Sequence, residues 1–208
     1  MITAIILSGQ LRTFQDNYQS LKNNILDHND CHIYMQTYID TELSLLQRAI
    51  ELYNPHKFLI EKPIKDFNVC ANCEPTREAM FWMLRNAQAT YKLIPTTYDC
   101  VVKARYDIEY ETPIIFADYD MNNINIPSGS DWLGGINDLF AFSSHQNIGH
   151  YCSLFNNLDN YVNNDHIACH PETLLRHHLK DKPVHRFNFP LYLRGFRMTD
   201  CTGADWTG

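Results

Sequence analysis

Ile2-Thr3-Ala4-Ile5-Ile6-Leu7, closed by Ser8-Gly9, is the stretch that decides the fold. It is a continuous apolar run without polar alternation, the pattern of a strand covered on both faces. Such a strand needs helices above and below it, and the residues that follow supply them. Phe14, Tyr18, Leu21 and Ile25 recur at helical spacing across 14–26. Residues 32–38 read as a second strand, 41–52 as a helix with Thr41 as its N-cap, and 57–60 as a third strand. A looser stretch over 61–75 precedes the longest helical segment, 77–93, which Pro95 ends. Residues 99–104 are a fourth strand, with Cys-Val-Val-Lys-Ala at its centre. This βαβαβαβ rhythm predicts an α/β fold with a mostly parallel central sheet and helices on both faces.

The second half is less regular. Residues 122–126 and 138–143 are strand-like and 146–158 helix-like. Pro171 suits the first turn of a helix running to Leu179. Residues 184–193 read as a strand near the sheet edge, because Pro190 interrupts them. The tail Trp206-Thr207-Gly208 has no clear element. The whole, 1–208, is expected to be one domain, and the irregular tail is compatible with excision from a longer protein.

Composition narrows the function. A length of 208 residues with 45% hydrophobic content supports one ordinary core and excludes a disordered or fibrous class. A net charge of −7 argues against a global grip on nucleic acid or an anionic membrane. No apolar run reaches the ~20 residues that span a bilayer. The N-terminus has neither a basic region nor a small-residue cleavage site, so no secretory signal is expected. Seven scattered cysteines read as mostly reduced thiols. Together these features lead us to expect a cytoplasmic protein.

In a parallel sheet, ligands bind beyond the carboxyl ends of the strands. Three such ends carry polar residues. Ser8-Gly9-Gln10-Leu11-Arg12 offers a tight turn, amide donors and a guanidinium fork for phosphate, or is a plain turn with a surface arginine. It matches neither the P-loop nor the dinucleotide fingerprint. Lys103, Arg105, Asp107 and Glu109 alternate after the fourth strand and share one side if the chain stays extended. Two cations beside two carboxylates suit a metal–diphosphate site, or else a solvated edge with mutual ion pairs. Gly134-Gly135 precedes Asp138, whose carboxylate could accept a proton or a sugar hydroxyl at the mouth of a buried strand. An Asx-type turn is the alternative there. Charge is also segregated. Residues 107–138 hold seven acids and no Lys or Arg, while 176–197 hold six bases and one acid. That pattern fits a cation site beside an anion site, or two faces that pair with each other.

Taken in order, ILSGQLRTF, VVKARYDIEY, INDLFAFSS and HPETLLRHHL resemble a GT-A-type glycosyltransferase family found in bacterial polysaccharide clusters and large DNA viruses of algae. The resemblance runs from Ile5 to about Leu193, and the order and spacing of the motifs carry it. It implies a single Rossmann-like GT-A domain. It also implies transfer of a sugar from a nucleotide-sugar, UDP-sugars first, to a glycan, glycoprotein or other hydroxyl acceptor, assisted by Mn²⁺ or Mg²⁺. Ser8, Gly9, Gln10, Arg12, Lys103, Arg105 and His185 would bind the donor, and His170 is a second late-histidine candidate. Asp107 and Glu109 would hold the metal, and Asp138 would serve at the reacting carbon. The family's Asp-x-Asp motif is altered, since Arg105 stands where the first Asp is expected; Asp118-Tyr119-Asp120 is a literal match in a less suitable place. The alternatives are a non-catalytic nucleotide- or sugar-binding module and a nucleotidyltransferase.

Other patterns carry less. Cys70-Ala71-Asn72-Cys73 lacks a second ligand pair for zinc, and HPETLLRHHL does not match HExxH. No GxSxG is present, which disfavours an α/β-hydrolase. Tyr91, Tyr98, Tyr106 and Tyr110 read as core aromatics, with stacking on a ligand as the alternative.

Overall fold

The computed structural model describes residues 1–39, 41–62, 78–95 and 98–194. Its elements are β1 (Ile2–Ser8), α1 (Phe14–Asn24), β2 (Asp30–Tyr38), α2 (Leu43–Tyr53), β3 (Lys57–Glu61), α3 (Glu78–Tyr91) and β4 (Cys100–Ala104). They continue with β5 (Ile108–Tyr110), β6 (Ile124–Pro127), β7 (Ala141–Ser143), α4 (His145–Cys152), α5 (Pro171–His178), β8 (Val184–Phe187) and β9 (Leu191–Leu193). Seven strands form one sheet in the order β3-β2-β1-β4-β7-β6-β8, and β5 pairs with β9 in a separate ribbon. The pairs β2–β3, β1–β2, β1–β4 and β6–β8 are parallel, and β7 runs antiparallel to both its neighbours. The expected α/β architecture with a mostly parallel sheet is present.

The unalternating run in β1 has a direct cause. Ile5 and Leu7 pack with Phe14 and Leu21 of α1 and Leu46, Ala49 and Tyr53 of α2. Ala4 and Ile6 point the other way, into a core built with α3, α4 and α5. Each fully covered aliphatic side chain contributes about 1.5–3 kcal/mol. β4 is divided likewise, with Val102 in the first core and Val101 in the second. Lys103 follows on the face of Val101 and is only 3% exposed.

Several boundaries differ from the sequence reading. Thr41 does not cap α2, which starts from Glu42 with no side-chain cap bond. Of residues 138–143 only Ala141–Ser143 form a strand, because the preceding loop is held by side chains instead of a ladder. α4 ends at Cys152 and tightens into a 3-10 turn, Ser153–Asn157. Pro190 separates β8, at the edge of the large sheet, from β9 in the ribbon. Cys31, Cys100 and Cys152 are free thiols, while Cys169 is disulfide-bonded. The Cys70/Cys73 pair, Arg77, Arg197 and the Trp206–Gly208 tail lie outside the described residues. Among the described residues no helix is long and apolar enough to cross a membrane.

Candidate active site

A cavity of about 850 Å³ opens beyond the carboxyl ends of β1 and β4. This is the point where the chain order reverses, with β2 and β3 on one side of β1 and β4 on the other. Such a switch point leaves a crevice where ligands bind. Ser8, Gly9, Gln10 and Arg12 line it from the β1 turn, and Lys103, Arg105, Tyr106 and Asp107 from the end of β4. Asp138 and Leu139 close it from the loop before β7, and Pro171 and Glu172 from the first turn of α5. Glu78, Met80, Trp82, Met83 and Asn86 of α3 and Leu191, Tyr192 and Leu193 of β9 form further walls.

The β1 turn is rigid. Gly9 adopts φ +114°, a conformation costly for residues with a Cβ. Its N–H donates to Gln36 Oε1 at 3.2 Å, and its carbonyl accepts from Thr37 Oγ1 at 2.9 Å. Gln36 and Thr37 are fully buried, so β2 fixes the turn from below. The buried Tyr106 hydroxyl lies 3.0 Å from the carbonyls of both Leu7 and Gln36 and ties the chain after β4 to the ends of β1 and β2. Arg12 Nε donates to Gln10 Oε1 at 2.6 Å.

β4 stops at Ala104 and the chain turns at Tyr106-Asp107. The extended alternation expected through Glu109 is therefore broken. The turn folds Asp107 back on Arg105, whose Nε and Nη2 donate to its two oxygens at 2.8 Å each. Burial opposes the charged guanidinium, but the Asp107 bonds and charge outweigh it and raise its pKa above the usual value. Glu109 passes into β5, lies outside the cavity lining and pairs with Arg194. His185 is also outside; it sits exposed on β8 with Nδ1 2.9 Å from Asn125 Oδ1. The charge segregation resolves partly into pairs between the two segments, Glu109–Arg194 and Asp131–Arg186.

Lys103 donates to the backbone carbonyl of Asp138. Desolvation lowers its pKa, and the Asp138 charge opposes the shift. The loop bearing Asp138 does contain an Asx-type turn, made by Asn137, whose Oδ1 accepts from Leu139 N–H at 2.8 Å. Asn137 Nδ2 donates to the Gly129 carbonyl at 3.0 Å, and its N–H to Asp131 Oδ1 at 2.8 Å. Asp138 lines the cavity and is 5% exposed.

Glu172 is the residue that the sequence reading passes over. In HPETLLRHHL it looks like one position on a helix face. The contact that brings it in is distant in sequence. A Cβ on Gly135 would overlap the Glu172 backbone, so only glycine lets the loop lie against the first turn of α5. Ile136 N–H donates to the Glu172 carbonyl at 3.1 Å. Its side chain is buried, and Oε2 lies 2.8 Å from His170 Nδ1. Burial, then the Asp138 charge, push its pKa up to about 7; its own backbone N–H, Lys103 and Arg105 pull the other way. Asp138 and Glu172 therefore share one cavity, with burial biasing the Glu172 carboxyl toward its neutral form, an arrangement suited to acid–base work.

The divalent cation implied by the resemblance does not fit the described residues. Each oxygen of Asp107 accepts a bond from Arg105, which offsets its charge, and Glu109 is paired with Arg194 outside the cavity. Asp120 spends its carboxylate on the turn residues Asn122 and Asn123. Among the described residues no three His, Cys, Asp or Glu side chains form a set that could hold a metal ion. Tyr106 and Tyr110 are core residues as expected, while Tyr91 and Tyr98 are partly buried and bond to the His145 carbonyl and to Tyr34 and His32.

In comparisons with known proteins, no family model and no curated protein matches the chain. The functional reading rests on the site itself.

Proposed function

We propose that the protein is a glycosyltransferase that moves a sugar from a nucleoside-diphosphate sugar, UDP-sugars first, to a hydroxyl of a glycan or glycoprotein. The observation that carries this reading is one cavity at the switch point in which Arg12, Lys103 and Arg105 stand beside Asp138 and Glu172. An acceptor oxygen attacks the anomeric carbon, the bond from that carbon to the diphosphate breaks, and the hydroxyl proton passes to a carboxylate. The cations stabilise charge on the leaving diphosphate. Asp138 takes the proton if the configuration inverts, or orients the acceptor if it is retained. The β1 turn, pinned to Gln36 and Thr37 and carrying Arg12 into the cavity, suits the nucleotide.

The test is release of nucleoside diphosphate from UDP- and GDP-sugars with a panel of glycan acceptors. Asp138→Asn should lower turnover by about 10²–10⁴-fold with the fold intact. One observation favours a second reading, a non-catalytic nucleotide-binding module: the acid expected at the metal is already neutralised by Arg105. Nucleotide binding without turnover of any donor, hydrolysis included, would select that module.

A further inference from the structure

Building on the glycosyltransferase reading, we infer that this site binds the donor diphosphate without a divalent cation, the Arg105 guanidinium supplying the counter-charge. Asp107 grips Arg105 through two parallel bonds of 2.8 Å, and the two side chains are only 24% and 14% exposed. Arg105 already offsets the Asp107 charge through a partly desolvated bidentate pair, which weakens the attraction of this carboxylate for a metal ion. A bidentate pair of this kind is among the stronger hydrogen-bonded contacts.

The pair leaves the guanidinium usable. It has five N–H donors, and Asp107 takes one on Nε and one on Nη2. Nη1 rests 3.5 Å from Met83 Sδ, a weak acceptor. The remaining donors belong to a planar fork already fixed in the cavity wall, the geometry that matches phosphate oxygens. Asp107 is then a positioning residue for Arg105. Asp138 and Glu172 do not compensate as metal ligands. Lys103 lies against the Asp138 carbonyl, and the fields of Lys103 and Arg105 reach both Asp138 and Glu172. Lys103 and Arg105 thus compete with a metal ion for these carboxylates.

Calorimetric titration of the whole chain with UDP and GDP in excess EDTA, then in Mn²⁺, tests this without any turnover. The expected result is a Kd for one nucleotide that changes by less than about threefold between the two conditions. Arg105→Ala should weaken it by at least about tenfold in both, and Arg105→Lys should recover only part, since a point charge lacks the fork. Asp107→Asn should weaken binding equally with and without Mn²⁺. Circular dichroism confirms that each variant is folded. A Kd tightened about tenfold or more by Mn²⁺, with Asp107→Asn abolishing that gain, overturns the inference and leaves the glycosyltransferase reading standing. Failure of both nucleotides to bind in either condition overturns both.

Discussion

At the scale of single residues, Glu172 and Lys103 pay for their positions in opposite ways. The Glu172 carboxyl has its pKa raised to about 7 by burial and by Asp138. Its neutral form is favoured on folding, so its contribution to stability is complete below the ordinary pKa of a free glutamate and is lost as pH rises through about 7. Glu172→Gln removes that titration. Relative to the native chain, the variant should gain roughly 1–3 kcal/mol between pH 4 and pH 8, read from denaturant midpoints at each pH. Asp138→Asn removes one cause of the shift and should move the same transition to lower pH. Lys103 is a desolvated cation whose pKa is lowered. Lys103→Met keeps the volume and removes the buried charge. It should leave Tm unchanged or raise it while weakening nucleotide binding by at least about tenfold, a split that a purely structural lysine would not give.

At the scale of elements, the legible parts are those whose signal is local. β1 and β4 are readable because strands covered on both faces lack polar alternation. α5 is readable from Pro171 at its first turn. The Arg105–Asp107 fork is not, because alternation assumes an extended chain and the turn at Tyr106 ends it. That turn depends on the Tyr106 hydroxyl reaching Leu7 and Gln36, contacts 99 and 70 residues away. Glu172 is hidden for the same reason, and the one local hint is Gly134-Gly135, whose second glycine admits α5. Gly135→Ala should therefore cost about 1–3 kcal/mol by overpacking and shift the first turn of α5. Thermal melting measures the cost, and loss of the Glu172 titration reports the shift.

At the scale of the molecule, two cores on either side of one sheet hold the cavity walls, so ligand binding and global stability are linked. A nucleotide that binds only the folded state raises stability by about 2.7 kcal/mol at a hundredfold excess over Kd. A thermal-shift series over UDP, GDP and CMP should single out one of them, and EDTA should leave its shift in place. The sheet also fixes the thiols. Cys31 and Cys100 stand opposite Thr3 on its two sides, two strand spacings or roughly 10 Å apart. That is beyond the span of a disulfide, so oxidant cannot join them while the sheet is closed. Burial raises the thiol pKa of Cys152 to about 12 and that of Cys100 above its ordinary value, which keeps both as unreactive thiols. Alkylation at Cys100 and Cys152, read peptide by peptide, should then advance only as fast as the sheet opens. The chain carries its own chemical clock for unfolding, one that bound nucleotide should slow.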